Sequence, residues 1–465
     1  MPPAPTKVTR EQQESMIQGV GHIDELRFYR GEKIISMAES ISTKPINREY
    51  ITVPLAVDVY YAFYLPVPVL NYALGEASSD PQSRMRMAVL NALLSSRKIG
   101  RVKAYTTADS ITSIVAAASF IERLNRILTS EAAASGSREG EGKESPGDSA
   151  SGDRPDKLSD LEKRIDKALD EVAKDAKVAK DIKSAVAKAG AGSASMLAYS
   201  ENPEDILRLA RETDISKILE KIEGVKLVFE KPTKRMIKYS RGWFTGVEYG
   251  RDLERIHHSQ LALPEDVFLT EFANDKLLLF EKSLPASQGP IYVLLDKSGS
   301  MIGEKIDWAR AVAVALLQKA VSEGRDFYAR FFDSMTYPLM RLKRRARPSS
   351  IIKVLTYLAS VKAGGGTSIT NAIYTASQDI KQAGRDKVSD VVLITDGEDK
   401  INLNMLYKVK METRMRLHTV MVQGINQYLK KLSDRYLVVK KLDAQGILKV
   451  VDFEEQAKEA RRRRL

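Results

Sequence analysis

Cysteine is missing from this 465-residue chain, and histidine is held to four residues. Without a thiol there are no disulfides, no thiolate zinc or iron–sulfur sites and no cysteine nucleophile. The absence fits a reducing compartment, and a cytoplasmic location is expected. His22, His257, His258 and His418 fall into no Ser–His pattern that would support nucleophilic catalysis. A long uninterrupted apolar run is missing too. The nearest, Val53 to Leu74, carries Asp58, Pro54, Pro66 and Pro68. It reads as a buried helix followed by a proline-marked turn rather than a membrane span. The opening MPPAPTKVTREQQ has no apolar core of the secretory type, so no export signal is expected.

What is present is an ordinary folded composition, 43% apolar and 29% charged. The length allows several domains. Lys and Arg number 73 against 61 Asp and Glu, a net charge of +12 that attracts acidic partners, nucleic acid included, but is spread along the chain. Abundant Lys, Arg and Glu also suit a heat-adapted source.

Residues 1–134 read as a helical region, with helices near Arg10–Ser40 and Ser83–Leu94 and a third capped by Thr107. Residues 135–156, SGSREGEGKESPGDSASGDRPD, contain no large apolar side chain and are expected to be a flexible linker. Residues 157–224 turn helical again. Leu158, Leu161, Ile165, Leu169 and Val172 recur at helical spacing, continued by Ile182 and Val186, with Gly190 as the expected stop. This stripe reads as a bundle helix, with a partner-binding coiled coil as the alternative. Two shorter helices are expected around Pro203–Glu212 and Ile215–Ile222.

Residues 225–288 form a mixed leader, in which VKLVF reads as a strand and RDLERIHHSQLAL as a helix. Adjacent histidines face different sides of a helix, so His257 and His258 form no joint metal site. Residues 289–455 alternate strand and helix, which predicts a doubly wound, mostly parallel sheet covered on both faces. Strands are expected at Ile291–Leu295, Phe327–Phe332, Val391–Ile394, Leu417–Val422 and Tyr436–Val439. Helices are expected at Glu304–Ser322, Ser349–Val361, Ser368–Gln382, Leu403–Thr413 and Glu454–Arg463. A second strand at Thr336–Met340 would add an antiparallel edge. Residues 456–465 are a basic tail. The fold class is thus a helical N-terminal region joined to a C-terminal Rossmann-like α/β domain.

One stretch stands out chemically. IYVLLDKSGSM ends an apolar strand with Asp296, Ser298 and Ser300 on one tight turn. Thr367 follows in AGGGTSIT and Asp396 in VVLITDGED, where Asp396, like Asp296, sits just past a strand end. Open α/β sheets bind ligands beyond the carboxyl ends of their strands. Two carboxylates and three hydroxyls make a hard oxygen set suited to Mg²⁺, with Mn²⁺ or Ca²⁺ as alternatives, and a position is left for solvent or an outside oxygen.

These three segments, DKSGS, the Thr after a glycine run, and TDG, resemble the metal-ion-dependent adhesion site of von Willebrand factor A (VWA) domains at all five positions. The resemblance implies a VWA domain over residues 289–455. It also implies Ser298, Ser300 and Thr367 as inner ligands, Asp296 and Asp396 as charged supporters, and a partner's Asp or Glu completing the shell. The leader DLERIHHSQLAL…DVFLTEFANDKLLLFEK resembles the segment before the same domain in CoxE-like and ViaA-like proteins, partners of MoxR-type AAA+ ATPases. That resemblance implies an adaptor between such an ATPase and a client protein.

Catalysis is not expected. GGGTSIT lacks the P-loop lysine, Ser298 stands where a haloacid-dehalogenase-like enzyme needs a second Asp, and no Gly-x-Ser-x-Gly elbow surrounds Ser298. The alternative function is RNA binding. Ro-like proteins also join a helical region to this domain, and Arg341, Lys343, Arg344, Arg345 and Arg347, with Arg461–Arg464, form basic clusters.

Overall fold

A computed structural model describes residues 14–76, 80–136, 154–188, 203–211, 213–223, 236–285, 288–383, 388–397 and 399–452. The helical region opens with α1 (Glu25–Ile41), α2 (Val53–Tyr64), α3 (Tyr72–Glu76), α4 (Pro81–Ser95), α5 (Ile99–Thr106) and α6 (Ser110–Gly136). It continues with α7 (Arg154–Lys188), α8 (Pro203–Arg211) and α9 (Thr213–Glu223).

The apolar stripe of α7 is buried as its spacing predicts: Leu161, Ile165, Leu169, Val172, Ile182 and Val186 are all in the core, against α5 and α6. The helix therefore serves as a bundle member. α2 is buried almost throughout. Its one charge, Asp58, is fully buried and answered by Arg86 at 2.6 Å, with the Ser15 hydroxyl donating at 2.6 Å. Paired and hydrogen-bonded charge is the form in which a carboxylate tolerates such a site. Among the described residues no helix is long and apolar enough to cross a membrane.

Several expectations need correction. The helix expected from Arg10 begins at Glu25, because the Asp24 side chain accepts from the Arg27 N–H at 2.9 Å and caps it there. Just before it, Gly19 and Gly21 take positive φ in a turn. Thr107 does not open α6: its hydroxyl is spent on the Lys103 carbonyl of α5, and Asp109 accepts from the Thr112 N–H instead. RDLERIHHSQLAL is not one helix but two short 3₁₀ turns, Leu253–Arg255 and His258–Ala262, with the His257 ring capping the second. The expected linker 135–156, Gly190, the VKLVF strand, the helix at Glu454–Arg463 and the basic tail 456–465 lie wholly or mostly outside the described residues.

The leader forms a two-stranded antiparallel sheet of β1 (Met236–Gly250) and β2 (Leu277–Pro285), with α10 (Glu265–Ala273) between them. His257 and His258 lie against the Phe280 ring, at 4.7 and 5.2 Å, which makes them packing residues.

The α/β domain then runs β3 (Gln288–Asp296), α11 (Glu304–Ser322), β4 (Phe327–Phe332), β5 (Met340–Leu342), α12 (Pro348–Ser360) and α13 (Ile369–Ala383). It closes with β6 (Val388–Thr395), α14 (Leu403–Thr413), β7 (Arg416–Val422), α15 (Gln427–Leu432), β8 (Arg435–Val439) and α16 (Ala444–Asp452). The six-stranded sheet has the order β5-β4-β3-β6-β7-β8, parallel except for the edge strand β5. The antiparallel edge is present, but its strand is Met340–Leu342, and Thr336 makes only an isolated bridge to Phe332. The short helices α15 and α16 have no counterpart in the sequence reading.

The chain winds outward from β3 in both directions, so the topological switch point lies between β3 and β6. One apolar core joins α11, α12 and α16 on one sheet face to the helical region, and a second fills the other face beneath α13 and α14. The main link between the regions is α9 against α11 and α12, and α7 and α8 also touch α12. There Arg310, almost fully buried, pairs with Asp214 at 2.9 Å and donates to the Val361 carbonyl.

Candidate metal centre

β3 and β6 are neighbours in parallel register, with Leu295 opposite Ile394. Each is a run of buried apolar residues, and each delivers one carboxylate to the same rim, Asp296 at the end of β3 and Asp396 one residue past β6. Both therefore stand at the switch point.

Asp296 is completely buried, and its two oxygens are held separately. The Ser298 N–H donates to Oδ1 at 2.8 Å, closing a tight turn, and the Thr395 hydroxyl donates to Oδ2 at 2.5 Å. Thr395 in turn accepts from the Gly397 N–H at 2.9 Å. Burial pushes the Asp296 carboxyl above its ordinary range and the nearby Asp396 adds to this, while hydrogen bonds from Thr395 and Ser298 oppose it.

The 3₁₀ turn Gly299–Met301 brings the hydroxyls of Ser298 and Ser300 to 3.1 Å from one another. Ser300, which is exposed, donates to Asp396 Oδ1 at 2.7 Å. The other oxygen of Asp396 receives the Lys305 ammonium at 2.6 Å. Gly303, at φ +89°, makes the bend that lets α11 start there and present Lys305 in its first turn.

Thr367 arrives on the loop between α12 and α13, which is fastened to the DKSGS turn. The Gly364 N–H donates to the Lys297 carbonyl at 2.6 Å, the Gly299 N–H donates to the Gly365 carbonyl at 2.9 Å, and the Ser368 N–H donates to the Asp333 carbonyl at 2.9 Å. Gly365 sits at φ +97°, and a Cβ there would lie 2.8 Å from Asp333 Oδ2. Both facts call for glycine. At Gly397 a Cβ would meet the Thr367 methyl at 3.2 Å and Asp296 Oδ2 at 3.6 Å, so both side chains adjoin that glycine.

All five expected residues thus converge. Asp296, Ser298, Ser300 and Asp396 are joined by hydrogen bonds directly or through their neighbours, and Thr367 flanks them. Two contributors escaped the sequence reading, Thr395 and Lys305. Thr395 adjoins Asp396 in TDG, yet its orientation toward Asp296 depends on strand pairing. Nothing in the spacing of GEK points Lys305 at a residue 91 positions away.

The donor set fits a hard divalent cation. It is all oxygen, carries two carboxylates, and already answers a positive charge at Asp396 Oδ2. Among the described residues no group of three or more His, Cys, Asp or Glu is arranged to hold a metal, so any such site here depends on hydroxyl donors.

The basic cluster lies elsewhere. Leu342 pairs with Phe327, at the start of β4, so residues 343–347 leave the sheet at the rim opposite Asp296. Arg341, Lys343, Arg344, Arg345 and Arg347 are all exposed there.

The family model of the von Willebrand factor type A domain matches residues 291–457, and the chain carries such a domain there. An uncharacterized protein of Methanocaldococcus jannaschii is 28% identical over 440 residues, covering 89% of this chain and 93% of its own length. A second uncharacterized protein of the same organism is 26% identical over 263 residues, covering 54% of this chain and 65% of its own. Among solved structures, the von Willebrand factor type A protein from Catenulispora acidiphila is 17% identical, covers 36% of this chain and 42% of that one, and has a TM-score of 0.29.

Proposed function

We propose that this protein is a non-enzymatic, Mg²⁺-dependent adaptor whose VWA domain grips an acidic side chain of a partner, a MoxR-type AAA+ ATPase, while the helical region holds a client protein. The observation that carries this reading is the convergence of Asp296, Ser298, Ser300, Thr367 and Asp396 at the sheet's switch point, with Ser300 open to solvent. Ser298, Ser300 and Thr367 would hold the ion, and Asp296 and Asp396 would supply charge. A bound Mg²⁺ offers a Lewis-acidic position that a carboxylate oxygen from outside can fill.

The arrangement makes a conditional joint. Without a divalent ion, Asp296 and Asp396 repel an incoming carboxylate, and with one the same carboxylate is attracted. No acid–base pair or nucleophile is needed. The ATPase supplies force and this chain supplies the target.

The runner-up, Ro-like RNA binding, rests on Arg341–Arg347. Only Arg341 of that cluster lies on β5, where an exposed charge has a simpler use in keeping the edge strand from pairing with another sheet.

Affinity capture of the cognate ATPase by the full chain tests the reading. Capture is expected with Mg²⁺ and is expected to fail with EDTA or with Thr367→Ala. Capture indifferent to both would overturn the metal joint. Nucleic acid copurifying in a salt-sensitive manner would favour the RNA reading instead.

A further inference from the structure

A groove in the helical region is left unexplained by the metal site. It lies between the start of α1, the segment leading into α2 and the first turn of α4, with a volume of about 1420 Å³. That exceeds the roughly 300–1,000 Å³ of small-ligand clefts and is on the scale of a peptide.

Its apolar surface includes Phe28, Tyr29 and Tyr50, which are 47%, 64% and 44% exposed. The buried face of α1 is built from Ile34, Ile35, Met37 and Ala38, and Phe28 and Tyr29 lie outside it. Three half-open aromatic rings in one concavity are a composition characteristic of contact surfaces.

Its charge is predominantly acidic. Asp24, Glu25, Glu32, Glu49 and Asp80 line it, against Arg48 and Arg86. Arg86 is buried and committed to Asp58 at 2.6 Å, and Arg48 bridges Glu39 at 2.8 Å and Glu32 at 3.6 Å. An acidic groove in a chain of net charge +12 is a local inversion. It repels nucleic acid and anionic membranes and attracts cationic segments.

We propose that this groove binds a peptide segment of a partner protein, with aliphatic or aromatic anchors seated on Phe28, Tyr29 and Tyr50 and Lys or Arg side chains facing the carboxylate rim. As the client end of the adaptor it rests on the function proposed above, but as a peptide site it stands on the groove alone and needs no metal.

The probe is a fluorescein-labelled amphipathic peptide of Leu and Lys, titrated with the full chain and followed by anisotropy. Saturable, salt-weakened binding is expected, unchanged by EDTA and by Thr367→Ala. Loss of the metal joint therefore leaves this result intact, and the reverse also holds. Tyr29→Ser and the pair Glu25→Lys, Glu49→Lys are each expected to weaken binding about tenfold or more, whereas Tyr249→Ser, at a still more exposed ring on β1, leaves it unchanged. The same peptide with Glu in place of Lys is expected not to bind. Equal binding by all variants, or no binding, overturns the proposal. So does a dimer dissociated by Tyr29→Ser, which would assign the groove to a second copy. Binding that emerges only after removal of residues 1–13 would assign it to the chain's own terminus and overturn it too.

Discussion

Lys305 donates to Asp396 Oδ2 at 2.6 Å, while its neighbour Glu304 accepts from Lys221 of α9 at 3.1 Å. The first turn of α11 thereby touches the candidate metal site on one side and the helical region on the other. A cation built into the protein shares a carboxylate with the cation the site is proposed to bind.

That sharing has a measurable consequence. Removing the ammonium with Lys305→Met leaves the two carboxylates less neutralised, and Mn²⁺ affinity is expected to rise about three- to tenfold, as read by the loss of the free-ion signal in electron paramagnetic resonance. Asp396→Asn in the same titration is expected to weaken binding by at least as much. If Lys305→Met weakens binding instead, the lysine supports the site rather than competing for it.

Gly365→Ala tests the loop that carries Thr367. The residue has φ +97°, and its new Cβ would press on the Asp333 carboxylate, which also pairs with Lys297 at 2.9 Å. A loss of about 1–3 kcal/mol in urea denaturation is expected, together with weaker Mn²⁺ binding as Thr367 shifts. Full stability with unchanged affinity would show that the loop position is not set by this glycine.

At the other end of β6, Asp390 is buried among Arg325 at 2.5 Å, Arg416 at 2.6 Å and His418 at 3.3 Å. Burial disfavours its charge, but the hydrogen bond from His418 and the two guanidiniums outweigh this and hold the carboxyl well below its ordinary range. A depressed folded-state value contributes stability above the unfolded value, about pH 4, and loses it as the pH falls further. Asp390→Asn removes the carboxylate that Arg325, Arg416 and His418 share, while Glu323 still pairs with Arg325 at 3.2 Å, and is expected to cost about 1–3 kcal/mol at neutral pH. The variant is also expected to show a flatter decline in stability from about pH 4 downward. Denaturant titrations at neutral and acid pH check both, and a variant with the wild-type acid slope would assign the linkage to other groups.

The amino-acid sequence by itself determined most elements and part of the site. The apolar runs of β3 and β6 and the stripe of α7 announce themselves because periodicity and burial preference act over a few neighbouring residues. Asp296, Ser298 and Ser300 were legible for the same reason, since one turn carries all three. Elements whose signal competes with a neighbour were misread: Thr107 is used by α5 rather than α6, and His257 caps a 3₁₀ turn instead of joining a helix. Tertiary structure alone decided what depends on convergence. It set Thr395 on Asp296, Lys305 on Asp396 and α9 on α11, and it gathered the acidic groove from α1, α2 and α4. Those contacts join residues far apart in the chain, and no local propensity encodes the packing that brings them within reach.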